Sequence, residues 1–379
     1  MIIWKKGTVL RVLEESAMFQ RVRVKMEAGE EASAVHYPLL LGQTEPGDEV
    51  WLNTTAVELQ LGTGGDHFVA GWVSKRPESS SPQGHIMKMR YTPWQIAVST
   101  GEEVGNPYRS AVMGRNSLDS WPILLGELHS MLPAVISVWR HRSLQEGRCP
   151  RIVYIMTDGG ALPLAMSQHV RRLKKLGWLY ATVTVGHAFG GDVEAVNLHS
   201  ALLLARYGLK ADLVFVSMGP GIVGTDTPFG FSGVEQGEAV NAVAALEGMP
   251  IFIPRIQGED GRKRHQGVSH HTLTNLTRVV LTPAEVPVPR PLPVRVQTQM
   301  ESIPQHHHLI SVPITEKEVV EFLKIYPVSI QSMGRKVAED PLFFRTICAG
   351  ALHLWKRWLN LTDGRSGVKA SGEKSDLTR

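Results

Sequence analysis

Between residues 8 and 73 apolar and polar positions alternate with a period of two, in short runs at 8–12, 20–26, 33–37, 49–52 and 67–73 punctuated by glycine. Successive side chains of a strand point to opposite faces, so this alternation predicts five half-buried strands. Five short strands at this spacing predict a small barrel of the OB or SH3-like kind. Glu45-Pro46-Gly47-Asp48 reads as the turn that introduces the fourth strand. Serine and proline dominate 76–84, a flexible linker, which makes 1–78 a barrel domain.

Beyond the linker the period changes. Continuous apolar runs at 152–156, 182–185, 213–216, 251–253 and 278–281 read as strands buried on both faces, separated by stretches with helical spacing. Met166, Val170 and Leu173 share one face of a helix that stops at Gly177. Asp192 is placed to cap a helix ending at Gly208, and Ser232 with Glu235 has capping-box spacing before a helix ending at Gly248. Strand alternating with helix predicts an α/β fold for 85–300: a parallel, doubly wound, Rossmann-like sheet with helices on both faces. The segment 301–362 returns to helix, apart from an apolar run at 309–312 that reads as a strand. Thr315 and Glu318 repeat the capping box, and Asp340-Pro341 opens a run with Phe344, Ile347, Ala351, Leu354 and Trp358 on one face, which must pack on the core. Residues 363–379 are small and charged, a disordered tail.

Composition narrows the function classes. A chain of 379 residues with 43% hydrophobic and 20% charged positions can bury one large core and a smaller one. Its 40 basic and 36 acidic residues are too balanced for a nucleic-acid footprint, so a small anionic molecule is the expected partner and self-association is left open. Two cysteines, Cys149 and Cys348, without CxxC spacing, fit a reducing compartment. The amino terminus lacks the apolar stretch of a signal peptide. The most apolar window, 122–139, is broken by Glu127 and His129, which predicts a cytoplasmic protein with no membrane segment.

In open parallel sheets ligands bind outside the carboxyl ends of the strands, and here each strand run is followed by a polar or glycine-rich segment. Asp158 follows the first, His187 to Asp192 the second, Gly219 to Thr227 the third, and Arg255 to His271 the next. Gly219, Gly221 and Gly224 fit GxGxxG. With Thr225 they read as a cradle for an anion rather than a dinucleotide site, because the helix start and the later acidic residue are misplaced. Arg264, His265, His270 and His271 form the densest basic and imidazole cluster outside His306 to His308, of which two rings are expected to face solvent. His270 and His271 are adjacent and so expected to play different roles. A divalent metal ion is a candidate cofactor, with His187, Asp192 and His270 as its ligands. Asp192 equally fits a plain helix cap, and His199 a core histidine. Glu127 and His129, in the helical segment before Pro133, either reach the same edge or lie at the surface. The sequence has no nucleophile elbow and no P-loop.

These strings resemble a family known as an uncharacterised domain of unknown function from Gram-positive bacteria. The resemblance is carried by Thr184-Val185-Gly186-His187-Ala188-Phe189-Gly190-Gly191-Asp192, Met218-Gly219-Pro220-Gly221-Ile222-Val223-Gly224-Thr225, Arg264 through Thr274, and more weakly Met333-Gly334-Arg335. It runs from the amino terminus to about Trp358 and implies no activity. Two function classes follow from the residues. One is a metal- or histidine-dependent hydrolase or lyase acting on a small anionic metabolite, with Asp158, His187, His265, His270 and His271 as acid, base or metal ligands. The other is a regulatory or interaction protein binding a nucleotide-like ligand.

Overall fold

The computed structural model describes residues 1–61, 64–75, 84–160, 162–258 and 262–371, with side chains as far as Asp363. The expected linker at 76–83, residues 259–261 of the loop before Arg262, and 372–379 of the expected tail lie outside the described residues.

Strands β1 (Trp4–Ser16), β2 (Phe19–Met26), β3 (Glu31–His36), β4 (Glu49–Asn53) and β5 (Asp66–Trp72) close a barrel in the order β1-β2-β3-β5-β4, with β4 returning to β1. The single turns α1 (Pro38–Leu41) and α2 (Thr55–Glu58) link them. The two-residue period does what it predicts. Val22, Val24 and Met26 alternate inward with Val9, Ala34, Val50, Leu52 and Val69 to form a core separate from the rest of the molecule. The barrel leans on the second domain through Arg171, which pairs with Glu14 at 2.8 Å and lies 3.9 Å over the Phe19 ring. Tyr37 reinforces this seam by donating to Met166 Sδ.

A hairpin of β6 (Ile86–Lys88) and β7 (Ile96–Val98) and the turn α3 (Arg109–Val112) precede the main sheet. The sheet contains β8 (Pro122–Gly126), β9 (Ile152–Thr157), β10 (Ala181–Thr184), β11 (Val193–Glu194), β12 (Leu213–Met218) and β13 (Met249–Ile253). After the short antiparallel pair β14 (Ile256–Gln257) and β15 (Gly267–Val268), it is completed by β16 (Glu285–Arg290) and β17 (His308–Pro313). All eight strands run parallel, in the order β11-β10-β9-β12-β8-β13-β16-β17. The helices are α4 (Leu132–Glu146), α5 (Gln168–Lys175), α6 (Leu198–Leu203), α7 (Glu235–Ala245), α8 (His270–Thr274), α9 (Val294–Met300), α10 (Glu316–Leu323) and α11 (Pro341–Ser371). A last hairpin, β18 (Gln331–Ser332) with β19 (Arg335–Lys336), precedes α11.

The α/β architecture is therefore the expected one, with local corrections. The apolar stretch opening the 122–139 window is not helix but β8, a central strand, and Glu127 sits at its carboxyl end, 2% exposed. His129 is also buried, its ring bonded to Tyr154 and Ser167. The run at 278–281 is not a strand, because the helical turn begun in α8 continues through Val279; β16 follows it. Asp192 caps no helix. It accepts from the Thr182 amide and hydroxyl at 2.9 and 2.8 Å and pairs with Lys174, while Asn197, with Ser200, forms the capping box of α6. Ser232 and Glu235 form no capping box either, since Ser232 accepts from the Val223 amide and Glu235 reaches Thr157. His199 is exposed rather than in the core. The Thr315–Glu318 box is present, and Phe344, Ile347, Ala351, Leu354 and Trp358 are all buried. The sheet takes β17 from beyond residue 300, and α11 continues past Thr362 to Ser371.

The chain steps outward from β9 through β10 to β11, then returns to β12 and proceeds through β13 to β16 and β17. This reversal places a switch point at the carboxyl ends of the central strands, where loops diverge and a ligand crevice is expected.

Candidate functional site

Each candidate residue follows a sheet strand at its carboxyl end: Asp158 after β9, His187 after β10, Gly221 after β12, and the histidine cluster after β13. Within that edge the side chains assemble into separate groups.

Asp158 and His187 meet through the backbone. The His187 amide donates to Asp158 Oδ2 at 2.6 Å, and the ring Nδ1 accepts from the Met89 amide at 2.9 Å. Gly186 makes this possible. Its φ is +61°, and a Cβ there would lie 2.5 Å from Asp158 Oδ2. His187 thus helps dock the β6–β7 hairpin onto the sheet. So does the buried Lys88, whose ammonium donates to the Thr184 and Ala188 carbonyls and pairs with Glu194 at 2.7 Å.

The glycine-rich loop closes on itself as a short hairpin. Gly224 bridges to Phe231 in antiparallel fashion, the Thr225 amide donates to the Gly230 carbonyl, and the Thr225 hydroxyl bonds Thr227 and Gly230. Its glycines serve different ends. Gly219 is buried where a Cβ would come 2.8 Å from Leu162, and Gly221 has φ +100° with open space around it. The loop folds as a small hairpin that delivers Phe231 to the histidine cluster, and of the amides expected to cradle an anion that of Thr225 is bonded within it.

The third group is the densest. Ser269 caps α8 by accepting from the His271 amide, and its hydroxyl lies 2.8 Å from His265 Nδ1. The rings of His265, His270 and His271 converge, with centroids 4.2 to 5.2 Å apart. The adjacent pair, expected to play different roles, also differs in burial, His271 being buried and His270 half-buried. At the first two positions of a helix capped by Ser269, however, both rings turn toward His265. Phe231 stacks flat on His271, 3.8 Å away at 5°. Arg264 donates to His265 Nε2 at 3.3 Å and pairs with Asp226 on the tip of the glycine-rich hairpin. Burial, then His270, His265, Arg255 and Arg264, push His271 down to about 3. Burial and Arg264, Arg255 and Arg262 likewise hold His270 below the usual imidazole range. Both rings are therefore neutral at pH 7.

Beneath them lies Glu127, a residue the sequence reading left undecided. It accepts from the Thr272 hydroxyl at 2.8 Å and from the Asn275 amide, tying α8 to the end of β8, and the Thr272 hydroxyl in turn accepts from the Arg255 amide. Burial raises Glu127 to about 7 despite these bonds and Arg255. Arg255 itself is 2% exposed, bonded to Gln257 and Met333, and Gln257 leads on to Asp340. Phe231 carries no sequence signal of its own, and Met333 stands out only in the weaker Met333-Gly334-Arg335 string; each is brought in by a hairpin.

The metal set His187, Asp192 and His270 is not assembled, because Asp192 is committed to Thr182 and Lys174 at the start of β10. Among the described residues, His265, His270 and His271 are the group of three whose ligand atoms all lie within 4.8 Å of one another. Of the other histidines, His307 is buried while His306 and His308 are exposed, as expected. The cavity of about 540 Å³ between β17 and α11 is elsewhere. Two of its lining residues, His353 and Arg357, are both bonded to Glu285 in the neighbouring strand β16.

No helix among the described residues is long and apolar enough to cross a membrane. No curated protein matches the chain. The model of a family described as "Protein of unknown function (DUF3866)" matches residues 33–351, and the chain belongs to that family. The matched span takes in the last barrel strands, the whole sheet and the first third of α11, so the histidine cluster lies inside it.

Proposed function

From membership of a family whose description carries no activity, we propose that this chain is a hydrolase or lyase acting on a small anionic metabolite at the His265–His270–His271 cluster. The observation that carries the reading is the convergence of three imidazoles with Arg255, Arg262 and Arg264 at the carboxyl edge of the central strands. Neutral imidazoles offer lone pairs that accept a proton or hold an electrophile, and guanidiniums complement carboxylate or phosphate geometry. In this reading His270, the half-exposed ring, faces the substrate, His265 and His271 sit behind it, and Arg264 holds the anion after exchanging it for Asp226. Glu127 fixes α8 from below. Asp158 and His187 position the neighbouring hairpin. Gly219, Gly221, Gly224 and Thr225 shape the loop that carries Phe231. We also assign the protein to the cytoplasm, which its two unpaired cysteines, Cys149 and Cys348, support.

The test is a turnover screen of the full-length protein against small phosphate and carboxylate esters and hydroxy acids, run beside His270→Asn and Arg264→Gln. Loss of two or more orders of magnitude in kcat/KM in His270→Asn, with KM raised chiefly in Arg264→Gln, is the expected pattern. Saturable binding of a nucleotide with no turnover of any anion would favour the regulatory alternative instead.

A further inference from the structure

We propose that His265, His270 and His271 bind a divalent first-row transition-metal ion, zinc foremost, through three imidazole nitrogens and leave a fourth coordination position for an anion. The metal site stands on its own geometry, and only the identity of the fourth ligand rests on the reading above.

The distances come first. One ligand atom from each ring lies within 4.8 Å of the other two. In a tetrahedral zinc site with Zn–N of about 2.0–2.1 Å, ligand atoms sit roughly 3.4 Å apart, so no pair has to close by more than about 1.5 Å. Side-chain rotation covers that.

Orphaned nitrogens are the second observation. A neutral imidazole has one N–H and one lone pair, and burial of either without a partner is destabilising. Both ring nitrogens of His271, 6% exposed, and Nε2 of His270 are buried without a protein hydrogen bond. Three such atoms in one cluster make little sense as packing and good sense as ligands.

The supporting shell has the right form. Ser269 engages His265 Nδ1, which assigns Nε2 as the nitrogen proposed to bind the ion, and Phe231 fixes the plane of His271 by stacking on it. As the side chains stand, Arg264 Nε donates to that same Nε2, so the guanidinium must withdraw toward Asp226 when an ion enters. The donor set decides the class of ion. Imidazoles without a carboxylate suit zinc, iron, nickel or copper and not calcium or magnesium. Arg255, Arg262 and Arg264 add positive charge around the cation, which selects an anionic fourth ligand, hydroxide or an oxyanion of the substrate.

The full-length protein, stripped with chelator, is titrated with zinc alone and separately with cobalt(II). The expected results are one equivalent bound, a tetrahedral cobalt spectrum, and a rise in Tm with zinc. His265→Asn and His270→Asn should each lose stoichiometric binding, Ser269→Ala should weaken it roughly 10–100-fold, and the exposed-ring control His306→Asn should leave it unchanged. X-ray absorption at the zinc edge of the wild-type protein needs no variant and should show three imidazoles. Absence of saturable one-equivalent binding, a zinc shell built on carboxylate or thiolate, or undiminished affinity in His265→Asn and His270→Asn would overturn the proposal. Turnover in the stripped protein that zinc does not change would overturn the substrate anion as fourth ligand while sparing the enzymatic reading. Stoichiometric binding without turnover of any anion would support the metal and sink the enzyme.

Discussion

Glu127 is where a single residue makes the site's energetics measurable. Its ordinary value is 4.5 and burial raises it to about 7, so between those values the folded state holds a proton that the unfolded chain has released. Stability from this group is therefore highest below pH 4.5, falls as pH rises toward 7, and is level above that. The predicted loss across the window is roughly 3 kcal/mol. His129 and His271, both pushed down to about 3, and His169, pushed down to about 4, act with opposite sign, because the unfolded chain binds their protons first as pH falls through 6.5. The measurement is accordingly a difference: urea unfolding of wild type minus Glu127→Gln at pH 5 and pH 7.5. A difference that does not change between those two values would show that Glu127 ionises normally. The same carboxyl was hard to read from sequence, since an acid inside an apolar run looks like the wet side of a helix. Only the strand at 122–126, buried on both sides, turns it into a buried group at a strand end.

At the level of elements, what was legible is what local chemistry dictates. The Thr315–Glu318 box is reciprocal, with the Glu318 amide donating to the Thr315 hydroxyl at 3.3 Å and the Thr315 amide donating to the Glu318 carboxylate at 2.8 Å. Thr315→Ala should cost about 1 kcal/mol, and adding Glu318→Ala should cost less than the sum of the two single changes, because either one breaks the box. Full additivity in chemical unfolding would mean that the two bonds are independent. The barrel strands and four of the five sheet strands expected in the second domain were readable for the same reason: period and apolar run length are local. What failed was non-local. Asp192 carries an N-cap residue type, yet pairing of β11 with β10 draws it to Thr182 instead. Ser232 and Glu235 have the right spacing, yet the Gly224–Phe231 bridge and Thr157 claim them first. The histidine string was visible as a cluster, Ser269 included, but its convergence also depends on Phe231 and Glu127, which arrive from two other parts of the chain.

On the scale of the whole molecule, the barrel and the sheet have separate cores, and the seam between them includes Arg171, Glu14, Phe19, Tyr37 and Met166. Residues 1–78 expressed alone should give a dispersed amide spectrum with a lowered Tm; a collapsed spectrum would mean that the seam is needed for the barrel to fold. The larger core behaves differently because of where its centre comes from. The central strand β8 is the first sheet strand in the chain, yet its neighbours β12 and β13 come much later, and α11, which covers it, comes last. The Trp139 indole donates to the Ala351 carbonyl, and Gly350 sits so close to Ile253 that a Cβ would lie 2.6 Å away. On a ribosome working at about 5–20 residues per second, β8 emerges and then waits roughly 10–50 s for the helix that seals it. Until β12 and β13 emerge the nascent chain displays an unpaired apolar strand, and until α11 emerges an uncovered apolar face, so this protein should depend on holding chaperones during synthesis. Premature termination before Pro341 should leave a product that is cleared rather than a smaller folded domain.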